Sequence, residues 1–156
     1  MSSALPSDSP LPQGWYVPAS RFGDLIFTAG MTPRKNGELL VTGPVHAGEP
    51  VEYWREAVVL AARNALTAAR NRLSAGERIA AVLNHTVFIA AETGFTLHSR
   101  LADFASAFLH EELGEAGIGA RAAVGVATLP GNAPVEIQLV VAVSAHGTGT
   151  MAADMR

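Results

Sequence analysis

The chain has 156 residues, 49% of them hydrophobic and 16% charged, which is the composition of one compact globular domain rather than a disordered segment. A net charge of −3, with basic residues only single or in short pairs, offers no electrostatic case for nucleic acid or an anionic membrane surface. Cysteine is absent, which excludes disulfides, thiolate catalysis and cysteine-ligated metals.

Residues 1–12 are rich in Ser and Pro and read as a flexible N-terminal arm, with neither the charged start nor the apolar stretch of a secretory signal. No apolar run approaches the roughly 20 residues of a membrane-spanning helix, so a soluble, cytoplasmic protein is expected. Trp15-Tyr16-Val17 and Leu25-Ile26-Phe27-Thr28-Ala29 are β-prone, with the turn glycine Gly23 between them. Lys35-Asn36-Gly37-Glu38 then predicts a turn before Leu39-Leu40-Val41.

Pro50 marks the start of a helix, with Glu49 and Glu52 at the positive end of its dipole. Val51, Trp54, Val58, Ala61, Ala62, Ala65, Leu66, Ala69 and Leu73 recur at helical spacing, an alanine-rich stripe suited to close packing on a sheet. Ile79 to Ala90 alternates too regularly, and is too β-branched, for a helix; it reads as a strand with both faces largely buried. A second helix is expected from about Leu97 to Leu113, stopped by Gly114. Residues 146–156 read as a flexible tail, which leaves 13–145 as the single domain.

Strands, helix, strand, helix, strand, strand is the order of an α+β domain: one mixed sheet with two long helices on one face. Val87, Ile89, Val124, Val126, Ile137, Leu139 and Val141 supply more apolar surface than two helices need. An open apolar sheet face packs against copies of itself, so a homo-oligomer is expected.

The stretch Gly119–Val143 holds the one oddity of charge. Arg121 opens an apolar run, Glu136 sits early in the next, and no other charge lies between Arg121 and Ala153. Charges enter apolar strands when something pairs with them or binds them. On residue type alone, a structural ion pair suits Arg121 better than ligand binding. If Pro130 to Ala133 turns an antiparallel hairpin, Arg121 falls opposite Ala142 and Glu136 opposite Ala127, roughly 20 Å apart along the ladder. The two charges then share a pocket only through a bulge, strong coiling or two different subunits.

Other motifs fail on context. Gly117-Ile118-Gly119-Ala120-Arg121-Ala122 matches the dinucleotide fingerprint but follows a helix and opens a strand, the reverse of what that motif requires. His110-Glu111 lacks a second histidine one turn on, and the five histidines show no metal-ligand spacing, so no metal is expected. His85, within the central strand, suits a hydrogen-bonded interior histidine.

Three separated segments carry a family resemblance. Gly119-Ala120-Arg121-Ala122-Ala123-Val124-Gly125-Val126-Ala127-Thr128-Leu129-Pro130 with Pro134-Val135-Glu136-Ile137 resembles the C-terminal signature of the RidA (YjgF) reactive-intermediate deaminases. Gly14-Trp15-Tyr16-Val17 with Asp24-Leu25-Ile26-Phe27-Thr28-Ala29-Gly30-Met31-Thr32-Pro33 resembles the N-terminal signature, and Asn84-His85-Thr86-Val87-Phe88-Ile89 the central strand. The resemblance implies a chorismate-mutase-like (YjgF-like) fold assembled as a homotrimer, with pockets between subunits. It implies hydrolysis of 2-imino acids and their enamine tautomers to 2-keto acids and ammonia, without metal or organic cofactor.

Residue by residue, Arg121 matches the arginine that grips the substrate carboxylate, and Glu136 the glutamate that positions water at the imine carbon. Tyr16 matches a pocket tyrosine, Gly30 a backbone position lining the site, and Ala122 a small wall residue. Three departures mark a divergent subgroup. Ala29 stands where better-known members carry a hydroxyl, Gly119 replaces a proline and loosens its loop, and the segment 95–121 is longer by about a helical turn. The resemblance leaves a trimeric module that binds a small carboxylate, or acts as a chaperone-like scaffold, as the alternative to an enzyme. A ribonuclease or translation inhibitor fits the acidic charge balance least.

Overall fold

The computed structural model describes residues 9–145, so residues 1–8 of the expected arm and the whole expected tail, 146–156, lie outside the described residues. The chain runs β1 (Ala19–Phe22), β2 (Leu25–Thr28), β3 (Arg34–Lys35), β4 (Glu38–Leu39), α1 (Arg55–Arg70), β5 (Glu77–Ala90), α2 (His98–Leu113), β6 (Ala120–Val126) and β7 (Val135–Ala145). β3 and β4 form a small hairpin, and the other five strands make one sheet in the order β1-β2-β7-β5-β6. Only β5 and β6 are parallel. Their connection needs a crossover, and α2 supplies it. No helix among the described residues is long and apolar enough to cross a membrane.

Both helices bury one stripe. Pro50 leads into a 3₁₀ turn at Val51–Trp54, which sinks Val51 and Trp54 before α1 begins. The buried stripe of α1 is mostly alanine, from Ala57 to Ala69 with Val58 and Leu66, which lets the helix lie close on β7 and α2. Leu101, Ala105 and Leu109 of α2 complete the layer above Val87, Ile89, Ile137, Leu139 and Val141.

Three expectations from the sequence are corrected. The first strand is Ala19–Phe22, not Trp15–Val17. Pro18 has no N–H to give a ladder, so pairing starts at its carbonyl, which accepts from Ala29 N at 2.8 Å. Gly23, at φ 58°, turns the chain directly into β2.

The second correction concerns register. β6 and β7 do not form a hairpin; β5 lies between them, pairing Arg121 with His85 and Glu136 with Phe88. The connection makes a 3₁₀ turn at Pro130–Asn132 with Gly131 and Asn132 at positive φ. Asn132 exchanges hydrogen bonds with Gly43, and Ala90 N donates to Pro134 O. The segment is thereby led across the end of β5 rather than folded back on β6.

The third correction concerns which residues remain uncovered. Val87, Ile89, Ile137, Leu139 and Val141 are all consumed by the helix-side core. The opposite face is apolar through the other parity: Phe22, Leu25, Phe27 and Val124 are exposed there, with Phe88 and Val140 half-buried among them.

Gly119 is also reinterpreted. A Cβ on it would fall on the Val82 carbonyl oxygen, at a bulge between Val82 and Asn84 of β5. The glycine permits close backbone approach rather than loosening a loop. A Cβ on Gly117 would likewise meet the Leu109 carbonyl, so packing accounts for both glycines of the dinucleotide-like motif.

Candidate functional site

Arg121 projects from the edge strand β6 on the side facing α2, and only 19% of its side chain is exposed. Its Nη1 donates to Asp103 Oδ1 at 2.7 Å and to Ser106 Oγ at 2.9 Å. Its Nη2 donates to Ser99 Oγ at 2.8 Å and to the Ser99 carbonyl at 3.3 Å. Ser99, Asp103 and Ser106 recur at helical spacing, so α2 presents one polar stripe to the arginine. None of the three was singled out from the sequence. Polar side chains on a helix ordinarily face water, and the only signal was their shared face.

Beneath the guanidinium lies His85, 1% exposed, with Nε2 3.3 Å from Ser106 Oγ. Ser106 Oγ accepts from Arg121 and lies within hydrogen-bond reach of Nε2, so one hydroxyl links the arginine to the histidine. Nδ1 is buried with no hydrogen-bond partner among the described residues. Burial first, and the Arg121 charge second, push the His85 pKa down to about 4. The interior histidine expected from the sequence is therefore neutral at ordinary pH, and it shares a serine with the arginine.

Arg121 borders a cavity of about 440 Å³ lined by Thr96, His98, Ser99, Ala123 and Gly125. His98 opens α2 and lies over β6, its Nε2 2.6 Å from where a Cβ on Gly125 would stand. Phe95 holds the ring edge-on at 5.0 Å between centroids. Glycine at 125 thus makes room for an imidazole on the cavity wall. Ala122 is not part of this wall. It pairs with Thr86 on the opposite face, and the small residue beside Arg121 is Ala123.

The remaining residues singled out from the sequence lie elsewhere, with Gly30 beside Glu136 and also lining a second cavity with Tyr16. Met31 and Ile137 exchange both backbone hydrogen bonds, which pins Gly30 beside Glu136. A Cβ on Gly30 would stand 2.5 Å from Glu136 Oε2. Burial alone raises the Glu136 pKa, so this carboxyl holds its proton more readily than an ordinary glutamate. The second cavity, of about 700 Å³, is bounded by Leu11, the β3–β4 hairpin and α1. Tyr16 Oη accepts from Gln13 N at 3.0 Å. Ala29 packs its methyl against the core.

Two half-sites result. Arg121 follows His85 onto the helix side of the sheet, whereas Glu136 follows Phe88 onto the open side. Three residues along β5 and two strand spacings separate their Cα atoms by about 14 Å. One chain does not bring the two charges together.

The family model described as endoribonuclease L-PSP matches residues 6–143. The Agrobacterium tumefaciens protein Atu1372, of unknown function, is 36% identical, with 86% of each chain covered and a TM-score of 0.75. A Shewanella oneidensis protein described as a candidate endoribonuclease is 28% identical over 89% of this chain and 91% of its own, with a TM-score of 0.78. The Escherichia coli YjgF gene product shares the fold at 21% identity and a TM-score of 0.59, over 90% of this chain and 98% of its own. No curated protein matches the chain at a significant level.

Proposed function

Because the chain belongs to the endoribonuclease L-PSP family, which includes the RidA (YjgF) proteins, we propose that it hydrolyses reactive 2-imino acids to 2-keto acids and ammonia. The observation that carries this reading is the half-buried Arg121 on the wall of a cavity sized for a small metabolite. A planar guanidinium suits a carboxylate, and the small neighbours Ala123 and Gly125 leave room for the carbon skeleton.

The second half-site supplies the water chemistry. Glu136, its pKa raised by burial, takes a proton from water as oxygen attacks the electrophilic imine carbon. The C=N π electrons move to nitrogen, which accepts that proton. Glu136 then relays the hydroxyl proton of the resulting carbinolamine to its nitrogen, and ammonia leaves as the C–N bond breaks and the C=O forms. Arg121 and Glu136 lie on opposite faces of one sheet, so in this proposal the Arg121 half-site of one protomer meets the Tyr16–Gly30–Glu136 half-site of the next. A homotrimer in which the edge strand β6 of one protomer abuts the apolar open face of the next would provide that arrangement.

The test is a coupled assay of 2-aminoacrylate and other small 2-imino acids with wild type and Arg121→Ala. Acceleration over spontaneous hydrolysis that is lost in Arg121→Ala is the expected result. Wild type that accelerates none of them overturns the enzyme reading. One observation favours that second outcome, a trimeric module that binds a small carboxylate without turnover: both terminal nitrogens of Arg121 already hold partners on α2. RNA cleavage gains nothing from a net charge of −3, since phosphate binding draws on a basic surface.

A further inference from the structure

Asp103 lies against the guanidinium on which the proposed function depends, and its presence changes what that guanidinium can select. The two terminal nitrogens of an arginine carry four N–H bonds. Around Arg121, Asp103 Oδ1, Ser106 Oγ, Ser99 Oγ and the Ser99 carbonyl all stand in donor range. A carboxylate arriving at this fork displaces one of them. It also meets a fixed negative charge, because Asp103 is 66% exposed and lies on the solvent side of an arginine that is 19% exposed. The other groups that the fork touches, the Ser99 and Ser106 hydroxyls, are uncharged, His85 behind it is held neutral by burial, and His98 faces the fork from the far wall of the cavity. Arg121 and Asp103 together carry no net charge.

We propose that Asp103 makes the Arg121 cavity selective for ligands that carry a carboxylate and a protonated nitrogen together, over monoanionic carboxylates of the same skeleton. The inference rests on the reading that Arg121 receives the substrate carboxylate. The carboxylate lies against Arg121, and the protonated nitrogen faces the Asp103 oxygens, so each ligand charge meets its opposite. A 2-imino acid protonated at nitrogen is such a ligand, and the 2-keto acid made from it is not. Hydrolysis removes the group that Asp103 attracts and leaves a monoanion beside it. Asp103 thus sets specificity for the substrate and favours departure of the product.

Alanine and pyruvate isolate the effect, because they share three carbons and a carboxylate and differ in the charged nitrogen. Their affinities are measured by titration calorimetry at low salt for wild type, Asp103→Asn and Arg121→Met, with circular dichroism as the folding control. In Asp103→Asn the affinity ratio shifts from alanine towards pyruvate by about three- to tenfold, the size expected of one partly exposed charge pair. An unchanged ratio in Asp103→Asn, with both ligands still dependent on Arg121, overturns the role of Asp103 alone. Binding that Arg121→Met leaves unaltered, or no binding by wild type, sinks the carboxylate reading itself and this inference with it.

Discussion

Acid should unfold this protein through a buried histidine. His85 is 1% exposed, and its pKa is lowered from 6.5 to about 4, chiefly by burial and then by Arg121. The unfolded chain takes up this proton near 6.5 and the folded chain only near 4, so between those values the unfolded state holds more protons. Stability is therefore fully present above pH 7 and falls as pH drops towards 4. The difference between the two states corresponds to roughly 2 to 3 kcal/mol after allowance for water reaching the site. The assay is urea unfolding from pH 7.5 to 4, at one protein concentration, for wild type and His85→Gln. Glutamine is polar, similar in reach to the imidazole and does not titrate. Glu77, Glu92 and Glu136 remain in both proteins, so the difference between the two profiles isolates residue 85. Wild type should lose about 2 to 3 kcal/mol more than the variant across the window. Parallel profiles would refute the buried, neutral histidine.

Two further substitutions probe the second half-site and the open face. In Gly30→Ala the new Cβ falls 2.5 Å from Glu136 Oε2 and 2.6 Å from its Cδ, so the carboxylate must swing aside. Turnover should drop about ten- to a hundredfold with little change in Tm, and full activity would show that Glu136 is not held for catalysis. Phe27→Lys places a charge in the exposed apolar face, and sedimentation should then report a folded monomer, against the trimer expected of wild type. A trimer that survives the lysine moves the interface elsewhere.

Long periodic segments were legible in the sequence because local spacing determines them. The apolar stripe from Val51 through α1 to Ala69, the stop of α2 at Gly114 and the existence of β5 all follow from patterns of a dozen residues or more. Yet β5 buries only its helix-side face and leaves Leu83 exposed and Phe88 half-buried. The placement of β6 and β7 was not legible. A connection such as Leu129–Pro134 has the same composition whether it folds back on its own strand or spans a third. Only the demand of β5 for a partner on each side decides between them. At the site, Arg121 and Glu136 stood out as lone charges in apolar strands. Asp103, Ser99 and Ser106 did not, because polar residues are ordinary on a helix until a buried arginine is found beneath them.

That register also determines what one protomer can do. Side chains alternate along a strand, so bringing Glu136 onto the face of Arg121 requires β7 to slip by one residue. The slip would turn Ile137, Leu139 and Val141 out of the core, where each is 1% exposed or less. At about 1.5 to 3 kcal/mol for each aliphatic side chain, the loss is of the order of a whole domain's stability. No local rearrangement can therefore unite the two charges within a chain. The same alternation leaves Phe22, Leu25, Phe27 and Val124 uncovered on the face that Glu136 shares. The pattern that fills the core thus separates the half-sites and leaves an apolar surface through which a second protomer can rejoin them.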